Sequence, residues 1–159
     1  MSENLFIPLK FKYENVTLAN VLAAYRQKMT SRANSNGLVS VTQMEKMSSD
    51  YVVYHVQRRL PDWAVRFFNL NHVTYQEHAK IVDNNTIEIV SEQTVGKITM
   101  KLNMIHMFDT AQNSTITTAF IKAENVPKIL KKLLQAYTEK QFTNERTHEL
   151  DVIRKKMLV

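Results

Sequence analysis

Residues Val126–Leu158 read VPKILKKLLQAYTEKQFTNERTHELDVIRKKML. Pro127 can open a helix here, because the first turn does not use its missing N–H. Val126, Ile129, Leu130, Leu133, Leu134 and Tyr137 then form one stripe at helical spacing, continued with an offset by Phe142, Leu150, Ile153 and Met157. A helix of roughly 30 residues at 1.5 Å per residue is about 45 Å long. Such a rod is long enough to lie across a whole sheet.

The residues upstream supply that sheet. LVSVTQMEKM and YVVYHVQRR flank SSD, HVTYQEHAKIV and TIEIVSEQTV flank DNN, and KITMKLNMIHMF and STITTAFIKA flank DTAQN. Three successive period-two pairs around turn residues predict three hairpins and an antiparallel sheet with one buried and one wetter face. The opening LFIPLKFKYE adds a strand with Leu5, Ile7, Leu9, Phe11 and Tyr13 on one face. Pro8 removes a ladder donor, which predicts an edge strand or a bulge. NVTLANVLAAYRQKM reads as a helix capped by Asn15 or Thr17, and TSRANSNG as a loop. Strand, helix, six strands and a long helix make an α+β chain of the helix-grip type. The expected architecture is one domain, residues 1–159, with a curved antiparallel sheet of about seven strands around the C-terminal helix. Periodicity leaves open whether sheet and helix enclose an elongated cavity or a solid core. Met44, Met47, Met100, Met104 and Met107 suit either.

Several chemistries are excluded. The chain has no cysteine, so disulfides and thiolate metal sites are absent, and its two glycines, Gly37 and Gly96, form no phosphate cradle. Among the five histidines none has HExxH spacing, and His72 and His78 lie roughly 20 Å apart along one strand. Glu77 and His78 are adjacent on a strand and point to opposite faces. No GxSxG elbow occurs. The expectation is a protein with no enzymatic activity, no metal and no cofactor. No signal peptide or membrane-spanning segment is legible, which suggests a cytoplasmic or other intracellular location. The net charge of +6, of which the segment from Lys128 onward carries +4, favours anionic partners.

Gln57–Phe68, QRRLPDWAVRFF, concentrates Arg58, Arg59 and Arg66 beside Trp63, Phe67 and Phe68. Three readings stand: a core corner, a nucleic-acid patch, or the lip of a lipid-binding cavity. Trp63 and Phe67 share a helical face with Arg66 at its flank, an amphipathic turn that suits core or membrane better than bases. No zinc-finger, RNP or helix-turn-helix signature accompanies it, so nucleic acid is the least favoured partner.

Four local patterns resemble the PRELI family of phospholipid-transfer proteins. These are YENVTLANVLAAY, RRLPDWAVRFF with its LPxW, VTYQEHAKIVDNNT, and the late FDTAQNSTITTAFIKAENV followed by EKQFTNERTHELDVI. They are colinear over nearly the whole chain. The resemblance implies a START/PRELI-like helix grip that binds a phospholipid and moves it between membranes, its acyl chains held between sheet and helix. It also implies an anionic lipid and membrane surface, a small helical disulfide-bonded protein partner, and the mitochondrial intermembrane space. Headgroup and membrane contacts would fall to Arg26, Arg58, Arg59, Lys140, Asn144 and Arg146, and the cavity mouth to Trp63, Phe67 and Phe68. The chain departs from the family pattern where the first helix reads YRQKM rather than YPNP, and where Gln141, Glu145 and His148 stand at the terminal headgroup positions. A lipid-free protein-interaction module on the same fold is the alternative. If Arg58 and Arg59 recruit acidic membranes, changing both to Glu should reduce vesicle binding while leaving thermal stability nearly intact.

Overall fold

A computed structural model describes residues 2–27, 39–83 and 86–157. The elements run β1 (Ser2–Tyr13), α1 (Leu18–Gln27), β2 (Val39–Ser48), β3 (Tyr51–Arg59), α2 (Asp62–Phe68), β4 (His72–Asp83), β5 (Thr86–Val95), β6 (Ile98–Asp109), β7 (Ser114–Pro127) and α3 (Lys131–Met157). The seven strands form one antiparallel sheet in the order β1-β7-β6-β5-β4-β3-β2. β1 is an edge strand with a bulge between Glu3 and Leu5, which removes the objection to Pro8. Its alternation is the one the sequence predicts: Leu5, Ile7 and Tyr13 are buried, while Phe6, Lys10 and Lys12 face out. The loop at TSRANSNG and the centre of the DNN turn lie outside the described residues.

Helix boundaries follow local chemistry. Thr17 caps α1, its Oγ1 accepting from Asn20 N at 3.4 Å, whereas Asn15 adopts a left-handed φ of 58° in the preceding turn. Pro127 ends β7 and a 3-10 turn, Lys128–Leu130, leads into α3, so the terminal helix starts four residues later than the proline suggests.

The sheet opens where it matters. The β4–β5 ladder runs from Asp83–Thr86 to Gln76–Glu92, while the strands themselves continue to His72 and Val95. In the wedge beyond Gln76, Leu60, Ala64, Val73 and Val95 form a small core of their own, with Trp63 and Phe68 packed against it. α2 is thus a plug between two diverging strands. Leu5, Ile7, Ile121, Val126, Leu130 and Leu134 fasten the start of α3 to the β1 edge, reinforced by Lys131 Nζ to Glu3 Oε2 at 3.0 Å. Tyr13, Val21, Ile87, Ile89, Phe142 and Ile153 build the core under its second half.

The β5–β6 turn touches the plug. Gly96 has φ +60°, and a Cβ there would stand 2.8 Å from Phe68 Cδ1. Both the left-handed backbone and the aromatic ring therefore require glycine. Gly96→Ala is expected to cost about 2 kcal/mol and lower the melting temperature by roughly 5 °C in a chain of this size. A calorimetric scan that shows no change would mean that Phe68 does not rest on this turn.

Candidate functional site

The inward face of α3 begins as an ordinary apolar stripe and then changes character. Leu130, Leu134 and Phe142 are buried, with Thr138 between the last two. One turn on, the same face buries Glu145, Arg146 and Glu149 before returning to Leu150 and Ile153. These charges satisfy one another and the sheet. Arg58 on β3 approaches Glu145 Oε1 at 2.7 Å and donates to the Tyr75 hydroxyl at 3.2 Å. Arg146 donates to Glu149 Oε1 at 3.0 Å and reaches Met104 Sδ at 2.9 Å. Tyr13 donates to Glu149 Oε2 at 2.7 Å. Two arginines and two glutamates make a neutral, hydrogen-bonded chain across the middle of the fold, the condition under which buried charge is tolerated.

Electrostatics follow from that packing. Burial is the largest single influence on Arg58 and opposes its charge, but the Glu145 carboxylate together with Tyr75 and Tyr137 overcomes it and holds the guanidinium well above its usual range. Burial raises the Tyr13 hydroxyl well above the usual tyrosine value, and the Glu149 charge adds to the effect. Burial likewise raises Tyr75 and Tyr137, against the opposing pull of Arg58.

A cavity of about 110 Å³ lies between this charged centre and the α2 plug. Trp63, Phe68, Ile98, Met100, Ile121 and Leu134 form its apolar walls, and Arg58, Tyr75, Ser91, Tyr137 and Gln141 its polar end. Thr138 and Gln141 also line the cavity, and Thr138 Oγ1 and Gln141 Oε1 are buried without a hydrogen-bond partner. Leaving such a group unsatisfied costs roughly 1–3 kcal/mol. The volume is well below the roughly 300–1,000 Å³ of most ligand pockets. Two acyl chains do not fit it as it stands.

The residues singled out from sequence separate into two groups. Arg58, Arg146, Trp63 and Phe68 line the cavity. Arg59 is exposed, since neighbouring strand residues point to opposite faces and only one of the two arginines can look inward. Lys140 and Asn144 lie on the outer face of α3, and Phe67 is 51% exposed although it shares a helical face with Trp63. α2 is buried through Ala64, with Trp63 and Phe68 beside it, which turns Phe67 outward. The Trp63 ring meets Tyr137 edge-on at 6.2 Å. That contact removes it from any base-stacking platform. Arg26 lies in α1, but its side chain falls outside the described residues, as do those of Met44 and Met47. Of the other methionines, Met100 lines the cavity, Met104 is core and Met107 is exposed.

Arg58 is therefore no loose rim cation, and the expectation that it can be replaced without loss is corrected. Glu149 and Tyr13 carried no functional reading, yet they complete the network. Their signal was present: extending the Leu134–Thr138–Phe142 stripe at helical period lands on 145, 146 and 149, where opposite charges occupy core positions. Among the histidines, His106 pairs with Thr117 Oγ1 at 2.6 Å and His78 with the Tyr51 hydroxyl at 2.5 Å.

No protein-family model matches the sequence, and no curated protein matches it either. Solved structures do. The Zhui aromatase/cyclase from Streptomyces sp. R1128 superposes with a TM-score of 0.66 at 9% identity, over 98% of this chain and 96% of that one. The fold is a helix grip. Human STARD10 gives 0.59 at 10% identity, over 94% of this chain and 63% of the other. Norcoclaurine synthase from Thalictrum flavum gives 0.55 at 10% identity, over 99% and 98%. At these identities the likeness shows the architecture of the helix grip alone.

Two outcomes test the charged centre. Arg58→Met removes the nearer of the two guanidinium groups beside buried Glu145, leaving Arg146 Nη2 at 4.0 Å, and is expected to cost about 3 kcal/mol, most of it restored in Arg58→Met/Glu145→Leu. Denaturant melts of the single and double variants measure the coupling; a single-variant cost below about 1 kcal/mol would place the pair in solvent. Second, the raised tyrosines keep their protons in the folded chain after the unfolded chain has lost them. Stability is thus fully present below pH 10.0, the ordinary tyrosine value, and falls as pH rises beyond it. Urea melts between pH 9 and 12 should show that decline, and Tyr13→Phe should flatten it.

Proposed function

We propose that the protein is a non-enzymatic carrier that holds one slender, lipid-like amphiphile in the cavity between sheet and α3 and exchanges it at an acidic membrane surface. The observation that carries this reading is the cavity itself, apolar beneath Trp63 and Phe68 and polar toward Arg58 and Tyr137. Transferring an apolar group out of a bilayer requires an apolar replacement, since each CH₂ left in water costs about 0.8 kcal/mol. Phospholipid transfer, the function implied by the PRELI resemblance, is the larger version of the same task. It requires α2 and α3 to part, because the closed volume is too small for two chains. A disulfide-bonded partner and a mitochondrial compartment would follow from the resemblance; the carrier reading requires neither.

The mouth supports membrane exchange. Leu133 and Tyr137 are four residues apart and share one side of α3, Ile129 stands in the 3-10 turn ahead of it, and Tyr137 meets Trp63 on α2. Ile129 is 79% and Leu133 46% exposed. Phe67 and Leu70 are exposed at the end of α2. Arg66, Lys97, Lys128 and Lys132, also exposed, occur among the same elements and the β5–β6 turn. Exposed apolar groups ringed by cations match an anionic interface, where each basic residue contributes about 1 kcal/mol.

An enzymatic reading has less support. Two of the structural neighbours are named as an aromatase/cyclase and a synthase. Here the carboxylates at the cavity end are held by arginines, and the tyrosines beside them are less acidic than usual. Tyrosines so raised keep their protons near neutral pH and do not act as bases there.

Native mass spectrometry of the purified protein, followed by solvent extraction, should recover one amphiphile per chain. Recovery of a diacyl phospholipid would support the larger version, and an empty protein that takes up no amphiphile from vesicles would overturn the carrier. Lys128→Glu/Lys132→Glu should weaken binding to phosphatidylserine vesicles at least about tenfold with an unchanged melting temperature. Undiminished binding would move the membrane contact elsewhere.

A further inference from the structure

The polar end of the cavity also points to what kind of group it receives, an inference that rests on the carrier reading. Thr138 and Gln141 stand three residues apart on α3 and so share a side of the helix. Thr138 occupies the middle of the Leu134–Thr138–Phe142 stripe, where a fourth apolar residue would have packed without loss. It is 7% exposed, yet its Oγ1 has no protein partner, and neither does Gln141 Oε1. Buried polar atoms in native proteins are nearly always bonded, so an orphan pair at one cavity wall marks a place for something else.

The charges around it say what that is not. Arg58 is matched by Glu145 and Arg146 by Glu149. A carboxylate or phosphate entering here gains no unmatched cation and meets two carboxylates. An ionised carboxylate or phosphodiester is also acceptor-only, so it has no proton for Gln141 Oε1. A hydroxyl has both capacities in one oxygen: its O–H donates to Gln141 Oε1, and its lone pairs accept from Thr138 Oγ1–H.

We propose that the cavity recognises a neutral alcohol or phenol group, held between Thr138 Oγ1 and Gln141 Oε1 with the apolar remainder of the ligand against Trp63 and Leu134. The site then differs from a phosphate-reading headgroup site in both charge and donor pattern.

Three probes of one shape distinguish the possibilities: p-cresol, p-xylene and p-toluate, titrated into ¹⁵N-labelled protein and followed by amide shifts of the cavity residues. p-Cresol is expected to bind about tenfold or more tighter than p-xylene, because a site built to bond a hydroxyl discriminates against the analogue lacking it. Thr138→Val and Gln141→Met should each reduce p-cresol toward the p-xylene level while leaving p-xylene binding unchanged. The ligand-free melting temperature of Thr138→Val should not fall, since a methyl replaces an unsatisfied hydroxyl. Equal binding of p-cresol and p-xylene, or variants that keep the preference, would overturn the hydroxyl assignment and leave the carrier standing. Tightest binding by p-toluate would replace it with an anion site. Absence of shifts with all three probes would overturn the carrier reading and this inference together.

Discussion

A 27-residue helix laid over a sheet has to bury one side along its whole length, and in this chain part of that side is ionic. Glu145, Arg146 and Glu149 sit where leucines would make the simplest core. They remain because β3 supplies Arg58, β1 supplies Tyr13 and β6 supplies Met104 at bonding distance. β1 is one edge of the sheet, β3 lies next to the opposite edge, and β6 stands between them. The network therefore fixes the position of α3 relative to all of them at once. An apolar stripe alone tolerates sliding by a turn, whereas a matched set of donors and acceptors does not.

That fixed point makes a cavity possible. α3 is anchored at its start by Leu130 and Leu134 on the β1 edge and at its centre by the ion pairs. Between the two anchors the helix spans the wedge where β4 and β5 separate, and α2 fills the wedge only in part. The hollow beside Trp63 is what remains. Its wall composition follows from its neighbours, greasy where it touches the α2 plug and hydrogen-bonding where it approaches Arg58.

Much of this arrangement was legible in the sequence. Alternation in LFIPLKFKYE and the three turn-separated pairs led to the strands and their meander, because period and turn chemistry are local properties. Pro8 even marked its strand as an edge. What stayed hidden depends on contacts between distant residues. Arg58 and Arg59 look equivalent in a string, yet strand parity sends one to Glu145 and the other to solvent. Phe67 and Phe68 differ in the same way, since Gly96, almost thirty residues later, receives only one of them. Ile129 and Leu133 belong to the apolar stripe by spacing, but among the described residues both are exposed. Thr138 was readable as a break in that stripe; its lack of a partner was not, because that requires knowing every atom around it.

The contrast between the small closed cavity and the broad apolar rim bears on how a ligand enters. α2 is only seven residues long: Ala64 lies in the small core, and Trp63 and Phe68 pack on that core and on the Leu5–Leu134 cluster, Trp63 also meeting Tyr137 and Phe68 the Gly96 turn. α3, by contrast, is held along its length by two apolar clusters and the ionic chain. Local opening follows the element with the fewest buried contacts. Displacing α2 uncovers Trp63 and Phe68 next to the already exposed Phe67, Leu70, Ile129 and Leu133. In water that exposure is costly; against acyl chains it is not. On the carrier reading proposed above, a membrane would lower the energy of that open state without any specific contact.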